Sequence, residues 1–278
     1  MEKILPLKIL SQMVGLMVTG IIVTYGNTTS LAAGPLRMAT TTSTQNSGLL
    51  DDLLPRFEQS GGSKVQVIAV GTGKALRLGE AGDVDLVMVH APKAEMKYLA
   101  QGAFVDRRPL MHNYFVVLGP PDDPARAKDA KNTTQLLMQV AKTKSNFISR
   151  GDNSGTHIKE RALWKTTGIK PEGDWYHEVG QGMGQTLIVA SEKGAYTLSD
   201  EATFFSFMRK LRLEIVSRPE PALANPYSVM AVNPKRHPNI NNKAAQQLMN
   251  WLTSAQGQNA IANYRKLGKQ LFTPDAKP

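Results

Sequence analysis

The chain has 278 residues, 41% of them hydrophobic, enough for one large domain or two ordinary ones, and a formal net charge of +10. It contains no cysteine, which excludes disulfides and thiolate metal ligands, and its five histidines show no metal-ligand spacing such as HExxH. Its Lys and Arg residues are dispersed rather than gathered into runs interleaved with aromatics, which speaks against nucleic acid and for a solvated surface with a weak pull on anions.

Residues 1–33 read as an export signal: Lys3 and Lys8 give a positive start, Val14 to Tyr25 is mostly apolar, and "SLAAG" offers cleavage after Ala32 or Ala33. The apolar run is short for a membrane span and is broken by Gly15, Thr19 and Gly20. A periplasmic protein, free of a lipid-modified cysteine, is expected.

After this segment, Leu36 to Ala39 suggests a strand, followed by the polar loop "TTTSTQNSG". Leu49, Leu50, Leu53, Leu54 and Phe57 then recur at helical spacing, with Pro55 expected to bend or end the helix early. "KVQVIAV" is a β-branched strand, "GTGKALRLGEAG" a turn into a helix, and "DVDLVMVH" another strand, whose Asp83 and Asp85 are expected to face solvent. Pro92 suits a first helical turn and Gly102 a stop, and "NYFVVLGPPDDP" is a strand with a proline-rich exit. This alternation predicts a largely parallel sheet.

The pattern then restarts with a strand "NFIS", a polar loop "RGDNSGTH", a helix "IKERALWKTTG", a glycine-rich entry into "GQGMGQTLIVASEKG", and strands "AYTLSD", "LEIVS" and "YSVMAVN". Two amphipathic helices near 242–253 and 255–267 close the chain. Two α/β units are expected, lobe I over 34–118 plus 226–278 and lobe II over 119–225, with crossings near the proline-flanked segments.

Three strand-to-helix turns could hold an oxyanion, because a helix N-terminus leaves backbone N–H groups unpaired and carries partial positive charge. They are "TTTST" with Thr41, Thr42 and Ser43, "VGTGKA" with Thr72 and Gly73, and "SRGDNSGTH" with Arg150, Ser154, Gly155 and Thr156. Any one of them alone is ordinary capping and turn chemistry. All three follow strands, and in open α/β sheets ligands bind beyond the strands' carboxyl ends. "GTGKA" lacks P-loop spacing, and "GQGMGQT" lacks the GxGxxG order. Ser154 and His157 stand three apart with no nucleophile elbow, so an exported hydrolase is the distant alternative. Asp152 is read as orienting Arg150 or capping the following helix.

The segments "TTTSTQNSGLLDDLLPRFE", "VIAVGTGKALRLGEAGDVDLVMVHAP", "FISRGDNSGTHIKE", "GQGMGQTLIVASEKGAYTLSD" and "LTSAQGQNAIANY" together resemble the periplasmic tungstate-binding proteins of ABC transporters, in the extracellular solute-binding superfamily. The resemblance spans nearly the whole chain after residue 33. It implies a two-lobed type II periplasmic-binding-protein fold, each lobe a mixed sheet flanked by helices, with an oxyanion in the cleft between them. It implies no catalysis, no cofactor, no metal other than tungsten held as its oxyanion, and a membrane permease as partner; a monomer is the expected state. The family's "TTTS" falls on Thr40, Thr41, Thr42 and Ser43, and its "SRGDxSGT" on Ser149, Arg150, Gly151, Asp152, Ser154, Gly155 and Thr156. Asn153 stands where an aspartate would be expected, and Glu201 where an arginine would be. Among tetrahedral oxyanions, size disfavours sulfate, a carboxylate acceptor such as Asp152 would favour phosphate, and molybdate stays open beside tungstate.

Overall fold

The computed structural model describes residues 34–277, so the expected export segment lies outside the described residues. In chain order the elements are β1 (Leu36–Thr41), α1 (Thr42–Asn46), α2 (Leu49–Gln59), β2 (Val65–Val70), α3 (Thr72–Ala81), β3 (Leu86–Val89), α4 (Pro92–Ala100) and β4 (Phe104–Gly119). They continue with α5 (Thr133–Thr143), β5 (Phe147–Ser149), α6 (Gly155–Thr167), β6 (Tyr176–Glu178), α7 (Met183–Glu192), β7 (Tyr196–Asp200), α8 (Glu201–Phe207), β8 (Glu214–Ile215) and β9 (Ala224–Val232). The chain closes with α9 (Asn242–Thr253), α10 (Ala255–Asn263), β10 (Arg265–Lys266), β11 (Lys269–Gln270) and β12 (Thr273–Pro274).

The main sheet runs β2-β1-β3-β9-β4-β7-β5-β6, with β8 and β12 on the edges of β4. Its outer thirds are parallel, but β3–β9, β9–β4 and β4–β7 are antiparallel, so the sheet is mixed rather than largely parallel. The reason is chain direction: β9 returns late in the sequence and inserts between β3 and β4, a non-local pairing that local alternation does not reveal. β4 also begins nine residues before the expected strand, and its two parts have different partners. Phe104 to Tyr114 pairs with β9, and Phe115 to Leu118 pairs with β7.

Each half of the sheet is covered on both faces. Met38, Met88, Met111, Tyr227 and Val229 pack under α2 and α9 on one face, and Ala39, Val87, Val89 and Met230 pack under α3 on the other. In the second half Phe115, Val117, Phe147 and Leu198 lie under α5 and α6, while Val116, Leu118 and Ile148 lie under α7 and α8. Burial on both faces explains why the strands read as continuous apolar runs.

Three local expectations differ from what is observed. α2 passes through Pro55 and continues to Gln59, because Leu49, Leu50, Leu53, Leu54 and Phe57 are all buried on one side while Pro55 and Asp51 face solvent, where water can take the freed carbonyl. The last helix stops at Asn263, and the positive φ of Leu267 and Gly268 turns the chain into the β10–β11 hairpin. Asp85 is buried rather than solvent-facing. Its carboxylate accepts from the Arg37 and Asn241 backbone N–H groups at 2.7 and 2.9 Å and from the Arg37 guanidinium at 3.0 Å.

Asp85 therefore ties β1, the entry to β3 and the start of α9 together. Its truncation leaves two buried N–H groups without acceptors, each worth about 1–3 kcal/mol. Asp85→Ala is expected to lower unfolding free energy by about 2–5 kcal/mol in urea titration.

Candidate functional site

The carboxyl ends of β1, β5 and β7 and the turn after β2 bring the N-termini of α1, α3, α6, α7 and α8 toward one another. Arg150, the residue after β5, lies among them at 2% exposure. Its Nη2 donates to Asp152 Oδ2 at 2.6 Å and to Thr42 Oγ1 at 3.3 Å, and its Nη1 donates to Ser43 Oγ at 3.2 Å. Arg150 Nε is buried without a protein partner. Burial lowers the Arg150 pKa, and the adjacent Asp152 carboxylate opposes that shift; a guanidinium stays charged regardless.

The hydroxyl run at residues 40–44 divides into two tasks. Thr40 Oγ1 donates to the Met88 carbonyl at 2.8 Å, and Thr41 caps α1 by accepting from Thr44 N–H at 3.1 Å. Thr42 and Ser43 are the two that meet Arg150. In the second turn Thr72 Oγ1 accepts from Gly155 N–H at 2.9 Å, across the two halves of the sheet. In the third, Ser154 caps α6 by accepting from His157 N–H at 3.3 Å, and Thr156 Oγ1 is buried without a partner. Thr42, Ser43, Thr72 and Ser154 thus each accept an N–H, which leaves the hydroxyl proton available to an acceptor-only ligand. Gly73 follows Thr72 within the first turn of α3, where a Cβ would lie 3.5 Å from Arg77 Nη1.

Asp152 performs both structural tasks expected of it, holding Arg150 and accepting from Ser154 N–H at 3.1 Å. Its two oxygens are already engaged. Two neighbours of the site lie in "GQGMGQTLIVASEKGAYTLSD" but were not among the candidate site residues. Gly182 opens α7 so close to Thr42 that a Cβ would sit 3.6 Å from Thr42 Oγ1. Asp200, fully buried, caps α8 through Thr203 N–H at 2.8 Å, and Thr203 in turn donates to the Ser43 carbonyl at 3.3 Å. Burial raises the Asp200 pKa, against the pull of Thr203, Arg150 and Ser43. Glu201, standing where an arginine was expected, pairs with Lys269 at 2.8 Å.

Behind α6, Glu160 is buried and accepts from Tyr176 Oη at 2.7 Å. Burial pushes its pKa up to about 7. Among the described residues there is no group of three or more His, Asp or Glu side chains suited to a metal ion, and no helix long and apolar enough to cross a membrane.

A mixed α/β sheet flanked by helices, with a buried arginine among hydroxyls and helix N-termini at its central crossing, is a periplasmic-binding-protein architecture. The chain matches the PBP superfamily domain over residues 26–256 and belongs to that superfamily. It is 43% identical over 249 residues to a tungstate-binding protein of Peptoclostridium acidaminophilum, covering 88% of this chain and 87% of that one. A crystal structure described as the tungstate ABC transporter from Geobacter sulfurreducens shares 50% identity, a TM-score of 0.78, and coverage of 83% of this chain and 99% of that one. The tungstate-binding protein of Desulfovibrio alaskensis G20 shares 43% identity and a TM-score of 0.75, over 87% of this chain and all of that one.

Two substitutions probe the site's construction. A Cβ at Gly155 would lie 2.8 Å from His90 Cε1 and 3.0 Å from Thr72 Oγ1. The His90 ring is fixed by stacking on Tyr227 at 4.8 Å and by its bond to Asn225, so it cannot yield. Gly155→Ala should therefore destabilise by about 1–3 kcal/mol in urea unfolding, although alanine is the better helix former by about 1 kcal/mol.

Glu160 has a sign that pH can read. Its folded pKa, about 7, is above its ordinary 4.5, so the stability it contributes is complete below 4.5 and lost as pH rises through 7. Glu160→Gln removes that loss. The stability difference, variant minus wild type, should grow by about 3 kcal/mol from pH 4.5 to pH 7 in parallel urea titrations.

Proposed function

We propose that this chain is a non-enzymatic periplasmic receptor that binds tungstate and delivers it to the membrane permease of an ABC transporter. One observation carries the reading: a buried guanidinium with an unpartnered Nε meets hydroxyls and helix N-termini brought from both halves of the sheet. The names of the tungstate-binding relatives support the same ligand.

Tungstate is a fully ionised tetrahedral dianion near neutral pH and can only accept hydrogen bonds. Arg150, the hydroxyls of Thr42, Ser43, Thr72, Ser154 and Thr156, and the backbone N–H groups of the first turns of α1, α3 and α6 supply donors. In this reading Gly73 and Gly155 let the backbone come close, and Thr41 holds the first turn in shape. Hydrogen phosphate asks for an acceptor as well, and both oxygens of Asp152 are engaged by Arg150 and Ser154. In this reading the lobes expected over 34–118 with 226–278 and over 119–225 hinge at β4 and β9, with Phe115–Leu118 packed in the second lobe's core rather than the first's, and the anion is gripped when they close. The chain works as a monomer, exported by residues 1–33. Its surface carries dispersed positive charge that attracts anions weakly.

Calorimetry on protein unfolded, stripped of ligand and refolded tests this directly, with tungstate, molybdate, sulfate and phosphate titrated singly and in competition. Tungstate is expected to bind and to resist displacement by sulfate and phosphate. Arg150→Ala should weaken tungstate binding by about 2–5 kcal/mol, the range for truncating one partner of a buried charge interaction. Unchanged affinity in that variant, or tighter binding of phosphate by the wild type, overturns the assignment.

A further inference from the structure

Four buried polar side chains cross the middle of the sheet in a row. The strand order β3-β9-β4-β7 aligns His90, just after β3, with Asn225 on β9, Asn113 on β4 and Asp200 at the end of β7. Asn113 lies directly opposite Asn225, and Phe115, two residues further along the same face of β4, lies opposite Asp200. None of the four is more than 4% exposed. The row sits where one apolar face gives way to another: Met111 precedes Asn113 in the first half's core, and Phe115 follows it in the second's.

Hydrogen bonds give the row a direction. His90 Nδ1 donates to Asn225 Oδ1 at 2.8 Å, and Asn225 Nδ2 donates to Asn113 Oδ1 at 2.7 Å and to Tyr227 Oη at 3.1 Å. Burial lowers the His90 pKa to about 4, so the ring is neutral and has one N–H to give. At the far end Asn113 Nδ2 and Asp200 Oδ2 have no partner. Both ends of the row adjoin the Arg150 cradle. The His90 ring edge lies against Gly155 in the first turn of α6, and the charge of Arg150 acts on both His90 and Asp200.

A buried amide N–H₂ without an acceptor is unfavourable, so a site that keeps one needs a reason. We propose that Asn113 is a ligand of the bound oxyanion, donating an Nδ2 hydrogen from the hinge strand, with Asn225 and His90 as positioning residues that keep its nitrogen rather than its oxygen toward the anion. The proposal rests on the anion-receptor reading above and adds a specificity element to it. A donor locked by its neighbours serves any fully ionised tetrahedral oxyanion and offers nothing to the proton of hydrogen phosphate.

The test uses the full mature chain with ¹⁵N-labelled side-chain amides. Spectra are recorded with and without saturating sodium tungstate, and the Asn113 pair is assigned by its loss in Asn113→Asp. One Asn113 Nδ2 proton is expected to move downfield, as for a new charge-assisted hydrogen bond. Asn113→Asp replaces the donor with a repelling carboxylate, and tungstate affinity should fall at least about 100-fold, with a smaller loss for phosphate. If the Asn113 amide does not move on tungstate saturation, Asp200 or packing is its partner and the proposal is overturned. Variant affinity within about threefold of wild type overturns it equally. If the variant does not fold, the pair is assigned in uniformly ¹³C,¹⁵N-labelled wild type through the Asn113 Cα and Cβ shifts, and the wild-type spectrum decides. A wild type that binds no tungstate removes the receptor reading itself, and this proposal with it; a wild type that binds while Asn113 stays silent removes only this proposal.

Discussion

The site is organised around one buried cation. An isolated guanidinium at 2% exposure would be costly, and Arg150 is kept by the 2.6 Å contact with Asp152, two residues further along the same loop. That local pair fixes the fork. It leaves Nη1 and part of Nη2 to reach Ser43 and Thr42 on the opposite side of the sheet, and Nε to none. Asp152 also accepts from Ser154 N–H, so the same carboxylate sets both the arginine and the first turn of α6.

Charge counting explains why so many neutral donors surround a single arginine. Asp152 already balances Arg150, and Asp200 lies within its electrostatic reach. For the proposed ligand, a dianion, this setting would offer little net positive charge. Hydroxyl protons and unpaired N–H groups would then do most of the holding in the proposed receptor, without adding charge that repels in the free protein. The run "TTTST" fits this arrangement: the hydroxyls of Thr40, Thr41 and Thr44 build the turn, and those of Thr42 and Ser43 face the arginine.

The three turns of the cradle were legible in the sequence because each is local, a strand end followed by Ser, Thr and Gly at a helix start. What lay hidden was non-local. Asn113 and Asn225 sit 112 residues apart and meet only because β9 inserts beside β4. Neither asparagine breaks a motif; each merely precedes an apolar run. Asp85 looked solvent-facing for the same reason, since its partners Arg37 and Asn241 come from distant parts of the chain. The mixed order of the sheet escaped alternation because strand direction depends on where β9 docks, not on its own composition.

The contacts joining the two halves are themselves modest. Arg150 to Thr42 and Ser43, Gly155 N–H to Thr72, Thr203 to the Ser43 carbonyl and Ser206 to the Ser47 carbonyl span 2.9 to 3.3 Å and are mostly between neutral groups or long for a charged donor, and the Lys269–Glu201 ion pair at 2.8 Å is half exposed on its lysine side. Each contributes about 0.5–1.5 kcal/mol net, since water would replace it on separation. Such bonds would yield readily in the hinge motion proposed above, while the backbone pairing of β4 with β9 and with β7 is continuous through the sheet. In the proposed receptor, a ligand that accepts from Arg150, α1, α3 and α6 at once would touch both halves, and its binding energy would act on the closed arrangement. That difference between the two arrangements is what a ligand needs in order to shift one toward the other.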